Sequence, residues 1–282
     1  LSIADTIFLN PAETLLPDYS TLVKKYYGAE PQTIDFSDPA RAAGVMNAWV
    51  EDHTASMIKN VISPNDLDPT TPLVLLNAIY FKDNWVFTFP KAETQTAPFF
   101  LKDGNSVSVP LMRLRGGLRG LTGPDFKVLE LPYQSGARML VVLPNQPAEI
   151  EKFSTLDPAL LREFGRPTTE VVETWLPRFT LEYGSKLLND PLQKMGMKSA
   201  FGPGAGFSGM VKGGGIFISK VIHKAKVEVD EEGTRAAAAT AVVMTRSNGS
   251  PRMFFRADHP FVFFILGPGD EVLFIGRVMD PR

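Results

Sequence analysis

The chain has 282 residues, 44% of them hydrophobic and 10% aromatic, enough apolar material for a sizeable core. A formal net charge of −2 with no recurring basic patch argues against a nucleic-acid partner, and no apolar run reaches the roughly 18 residues a membrane helix needs. There is no cysteine, so disulfides and thiolate chemistry are excluded while the compartment stays open.

LSIADTIFLN, at the start, predicts a core strand with no basic end or cleavage site of a signal peptide, and so abrupt an opening predicts a chain cut upstream. PDYSTLVKKYYG predicts a helix with Tyr19, Leu22, Val23 and Tyr26 on one stripe and Gly28 as its stop. The next helix opens on Ser37-Asp38-Pro39; Val45, Met46, Trp49, His53, Met57 and Val61 continue its spacing, which gives His53 a plain core role. Residues 72–85, PLVLLNAIYFKDNW, are almost continuously apolar, as in a strand covered on both faces, with Asn77, Ile79, Phe81 and Trp85 sharing one parity.

Short strands separated by KDGN, RGG and TGPD follow between about 94 and 145, then two weak helical pieces over 147–165. TEVVETWLPRFTLEY returns to strand, and SKLLNDPLQKMG predicts a helix kinked or restarted at Pro191. IFISKVIHKAKVEVD alternates most clearly: Val221, His223, Ala225, Val227 and Val229 on one face, Lys220, Lys224, Lys226, Glu228 and Asp230 on the other. After the alanine-rich run EEGTRAAAATAVVM come RMFFRADHPFVFFILG and EVLFIGRVM, closing strands joined by Gly-Pro-Gly-Asp. No repeat or linker divides the chain, so a single α+β domain over 1–282 is expected.

Catalytic chemistry is not evident. His53, His223 and His259 match no metal-ligand spacing, and Gly206-Phe207-Ser208-Gly209 lacks the last glycine of a nucleophile elbow. The glycine-rich 202–215 has no G-K-[ST] ending and predicts a solvated loop, not a phosphate cradle. No cofactor, metal or enzymatic activity is expected.

VDEEGTRAAAAT resembles the hinge of the inhibitory serpins, the serine protease inhibitor superfamily, and FRADHPFVFFI and LFIGRVMDP resemble that family's closing segments. SKVIHKAKVEV, NAIYFKDNW and LPRFTLE match family strands in the same order, so the likeness covers essentially the whole chain. It implies a large central mixed sheet, two smaller sheets, surrounding helices, an exposed reactive loop at about 231–252, and roughly 90 preceding residues absent from this chain. It also implies a monomer whose partner is a target serine protease, with neither nucleic acid nor membrane involved. A non-inhibitory carrier or chaperone of the same fold is the alternative.

In the family mechanism a protease cleaves the exposed loop as substrate, and the loop inserts into the main sheet as a new strand, dragging the acylated protease along. Insertion needs small inward side chains. If Thr234 faces in, period two turns Ala236, Ala238, Thr240, Val242 and Met244 inward too, while Arg235, Ala237 and Ala239 face the other way. Arg235 departs from the glutamate more usual in inhibitory members, but its parity lets it reach solvent. By resemblance Glu231, Glu232 and Gly233 open the hinge, Gly233 allowing a sharp reversal; His223 with Asn77 is the shutter that gates the sheet, and Trp85 is the breach residue where the hinge first enters. Family spacing puts the specificity residue at Ser247, followed by Asn248, which suits an elastase-like or subtilisin-like protease. Arg246, one residue earlier, suits a trypsin-like pocket, and the two remain equally weighted.

Overall fold

The computed structural model describes residues 2–155, 157–165, 167–168, 172–234 and 252–282. The chain packs as two compact units, Leu1–Phe81 with Glu182–Lys226, and Lys82–Leu181 with Val227–Arg282.

In the first unit Ser2–Leu9 pairs antiparallel with Leu73–Tyr80 along its whole length, and Gln32–Thr33 joins its other edge in parallel. Residues 220–226 of the strand Lys220–Val229 run parallel to Leu73–Tyr80, from Lys220 opposite Val74 to Lys226 opposite Tyr80. Helix Pro39–His53 covers one face of these strands. Asp38 caps it by accepting the Arg41 amide, and Pro39 occupies the first turn, where its missing N–H is no loss. Ala42, Ala43, Met46 and Val50 form one core with Phe8, Val74, Leu76, Ala78, Tyr80 and Ile222.

This packing corrects several expectations. The even residues of Leu73–Tyr80 are buried, but Leu75, Asn77 and Ile79 stay half-exposed, because the helix lies on one face only; the regular strand ends at Tyr80. Nor does the helix run on to Val61. Thr54 donates its hydroxyl to the Val50 carbonyl and accepts the Ile58 amide, while Ala55 and Ser56 turn left-handed at φ 50° and 60°. The small Ala42 and Ala43 set the face that approaches the sheet, so Val45 is exposed. His53 is exposed as well, its ring stacked on Trp49 at 3.9 Å, and is no core residue.

Pro17–Tyr27 ends at left-handed Gly28 as its sequence predicts, but of its stripe only Val23 is buried. Phe179–Leu187 stays a strand through the Ser185-Lys186-Leu187 expected to be helical. The helix there shrinks to Asn189–Lys194, because the Leu188 amide bonds the Val221 carbonyl and keeps the chain in the sheet. The alternation of Lys220–Val229 breaks too: Ile222 and Lys224 are buried, and the predicted parity returns only at Val227 and Val229. Lys224, 5% exposed, is tolerated because its ammonium bonds the Lys59 carbonyl at 2.7 Å and Glu182 at 2.6 Å. The glycine-rich stretch is mostly exposed, pinned by buried Met210 and Val211.

The second unit contains an all-antiparallel sheet in the order Val272–Val278, Phe261–Leu266, Arg138–Pro144, Phe126–Pro132, Arg119–Thr122. Phe261–Leu266 is buried on both faces, and Phe126, Phe153, Phe164 and Phe264 pack edge-on or tilted beneath the sheet. The two helical pieces expected over 147–165 are Pro147–Phe153 and Pro158–Phe164. A second sheet runs Met253–Arg256, Val172–Pro177, Ser106–Arg115, Gln95–Phe100, its first pair parallel.

Candidate functional site

The alanine-rich run begins at a tight turn in the second unit. Asp230 accepts the amides of Glu232 at 2.8 Å and Gly233 at 3.2 Å, and its own amide bonds the Gly233 carbonyl, so the chain folds back with Thr234 opposite Val229. Gly233–Thr234 pairs on its other side with Asp83–Asn84. A Cβ on Gly233 would stand 2.2 Å from the Asp83 carbonyl oxygen. Close backbone approach, more than the expected sharp reversal, is therefore what this position demands of glycine.

Three buried contacts hold the turn. Trp85, 1% exposed, stacks on Tyr133 at 4.3 Å and donates its indole N–H to the Asp230 carbonyl at 3.0 Å; its amide bonds the Glu232 carbonyl. The Tyr133 hydroxyl bonds Thr234 Oγ1 at 2.6 Å, and Thr234 is fully buried. Glu231, 2% exposed, accepts Arg178 Nε on both carboxylate oxygens, at 2.8 and 2.7 Å, and the Thr94 hydroxyl at 2.6 Å. Burial alone would raise the Glu231 pKa, but the bonds from Arg178 and Thr94 outweigh it and hold the carboxyl below its ordinary range. Burial raises both Asp230 and Tyr133. Glu232 is half-buried and paired with exposed Lys91.

A different arrangement carries the other predicted pair. In the first unit Asp5, Asn77 and His223 stand opposite one another on three adjacent strands, all half-buried on the face away from helix Pro39–His53. Asn77 donates its amide to Asp5, so its Oδ1 accepts from His223 Nδ1, which must carry the proton. Burial lowers the His223 pKa, opposed by Asp5, and the ring is neutral near pH 7. Tyr183 lies beside it, 6.2 Å between centroids.

Arg235, Ala236, Ala237, Ala238, Ala239 and Thr240, with Arg246, Ser247 and Asn248, lie outside the described residues. Sequence reasoning missed Tyr133, Arg178, Thr94 and Asp5. Arg178 sits inside the matched LPRFTLE and Asp5 inside the opening strand, but single polar residues in strands carry no periodic signal that marks them as partners. Among the described residues no cluster of histidines and carboxylates could hold a metal ion.

The model of the serpin family, serine protease inhibitors, matches residues 1–281. The chain belongs to the serpin family. Leukocyte elastase inhibitor of Sus scrofa is 39% identical over all of the chain and 78% of its own length. Among solved structures, Serpin48 of the insect Tenebrio molitor superposes with TM-score 0.88 at 34% identity, covering 100% of this chain and 76% of that one. Human thyroxine-binding globulin complexed with its ligand gives 0.89 at 29%, covering 99% and 74%. The α+β serpin fold is thus shared along the chain, and the family is one of inhibitors, not enzymes.

Proposed function

We propose that this serpin inhibits serine proteases by offering the segment after Thr234 as substrate and inserting it, once cut, beside Lys220–Val229. One observation carries the reading: Gly233–Thr234 has already turned antiparallel to that strand, with Thr234 wholly buried. A chain continuing the register would run antiparallel to Lys220–Val229 and also to Leu73–Tyr80, since those two are parallel. Both flanks would then offer a well-formed antiparallel ladder. About 14 inserted residues at roughly 3.3 Å each span some 45 Å, enough to carry a bound protease far from where it docked.

The register names what insertion must break. With Thr234 opposite Val229, six residues on brings Thr240 opposite His223, so the bond between His223 and Asn77 would have to open for the strand to pass that point. It also brings Arg235 opposite Glu228, where opposite charges stabilise a cross-strand pair. The unusual arginine then has a partner as well as a route to solvent. Small residues at 236 and 238 support an inhibitor over a carrier of the same fold, since bulky or charged side chains there would stop entry. Arg246 would direct the site to trypsin-like enzymes, Ser247 to elastase-like or subtilisin-like ones.

The test is incubation of the protein with trypsin and with pancreatic elastase, followed by a denaturing gel. A covalent product of summed mass is expected. A cleaved chain beside fully active protease would refute the mechanism.

A further inference from the structure

His259 has no part in the proposed insertion, yet both of its ring nitrogens face acceptors. It lies in residues 257–260, the link from strand Met253–Arg256 of one sheet of the second unit to strand Phe261–Leu266 of the other. Its side chain is 18% exposed. Nδ1 stands 3.0 Å from Asp258 Oδ1, and Nε2 stands 2.8 Å from the Pro144 carbonyl oxygen.

A carboxylate and a peptide carbonyl can only accept, so only the doubly protonated ring donates to both. The neutral ring carries one lone pair, and whichever tautomer forms, that lone pair is turned on an oxygen. The geometry therefore selects the imidazolium. Asp258 is shared with Arg256, whose Nε bonds Oδ2 at 2.9 Å. Lys127, on the strand beside Arg138–Pro144, brings a second positive charge and bonds the Phe254 carbonyl at 3.0 Å. Burial and Lys127 disfavour a charged ring, but the bonds to Asp258 and Pro144 outweigh them and hold the His259 pKa above 6.5. Against burial, the bonds from His259 and Arg256 keep the Asp258 carboxyl below its ordinary range.

The same link is tied to one sheet by its backbone. The Ala257 amide bonds the Trp175 carbonyl at 2.9 Å, and the Asp258 carbonyl accepts the Phe100 amide at 2.7 Å. Pro144 ends a strand of the other sheet, so the His259 ring is what joins this link to it. We propose that His259 is a proton-loaded clasp between the two sheets of the second unit, closed while the ring is an imidazolium and loosened when it loses a proton. Loosening acts on the segment directly after Met253–Arg256, whether or not the chain inhibits a protease.

The sign follows from linkage. The unfolded chain holds this proton less tightly than the native one, so the contribution of the clasp is complete below about 6.5 and is lost as pH rises through the folded value. Each unit between the two values is worth a factor of ten in the folding equilibrium.

Proton NMR of the protein between about pH 5 and 9 follows the imidazole Cε1–H signals, with His259 assigned by the signal lost in His259→Gln. A His259 midpoint above 6.5 is expected, moving down in Asp258→Asn, which keeps an acceptor but removes the charge. The denaturant midpoint of the parent should decline as pH rises above about 6.5, and decline less in His259→Gln. Over the same interval the Phe100 amide should lose protection relative to its intrinsic exchange rate. Should His259→Gln fail to fold, the signal displaced in Asp258→Asn identifies the ring, and the parent's titration and Phe100 protection decide. A His259 midpoint at or below 6.5, Phe100 protection that does not change with pH, or equal declines in parent and His259→Gln would overturn the proposal.

Discussion

The turn at Asp230–Thr234 and the row Asp5–Asn77–His223 are both polar, and they are built in opposite ways. The turn is sunk in aromatic and ionic contacts: Trp85 on Tyr133, Thr234 on the Tyr133 hydroxyl, Glu231 locked by Arg178 and Thr94. The row is half-exposed and held by two side-chain bonds across strands that already have their backbone partners. Removing a partner from the turn strands a buried group, whereas opening the row returns its groups to water. In the proposed mechanism one is a fixed anchor and the other a latch.

Breaking the anchor should have the largest effect. Trp85→Ala empties the space beside Tyr133 and is expected to lower unfolding stability by about 3–5 kcal/mol in a denaturant titration. Arg178→Ala leaves the Glu231 carboxylate buried without its main partner, a loss of about 2–3 kcal/mol by the same measurement, with Arg178→Lys recovering only part because a point charge cannot reproduce the forked contact.

Acid should separate the two regions. His223 has a pKa held below 6.5 in the fold, so the unfolded chain takes up protons first: its contribution is intact above about 6.5 and falls as pH drops through the folded value. Glu231 is also lowered, from 4.5, so its contribution is intact above about 4.5 and is lost as pH falls through its folded value. Stability measured against pH should therefore fall in two steps, the first removed in His223→Ala and the second diminished in Glu231→Gln.

Opening the latch directly is a smaller change. His223→Ala should lower native stability by about 1 kcal/mol while speeding insertion after cleavage, read as faster complex formation with an unaltered first-cut rate. Smallest is the charge pair: with Arg235 opposite residue 228 in the proposed inserted state, Glu228→Lys places like charges together there and should lower the stability of the cleaved form by a few tenths of a kcal/mol more than that of the intact one.

Much of this was legible in the sequence because motifs and period two survive packing. The match to family strands identified the fold and, by resemblance, paired His223 with Asn77 on the neighbouring strand. The misreadings share a physical cause, which is that packing overrides a local pattern. Two alanines chose the helix face that exposed Val45 and His53, Thr54 ended the helix early, and a paired ammonium let Lys224 sink on the side that looked polar. Arg178, Tyr133 and Thr94 act on residues 53 to 137 positions away, a relation no local period encodes.

The entry of the severed loop into the sheet is tested most directly by thermal unfolding of the intact chain against the chain nicked once within 235–251, with both pieces retained. On the order of ten new backbone hydrogen bonds at a net ~1 kcal/mol each, with 1 kcal/mol worth about 2–4 °C at this size, predict a midpoint raised by roughly 20 °C or more. A nicked protein that melts at or below the temperature of the intact one would contradict the account.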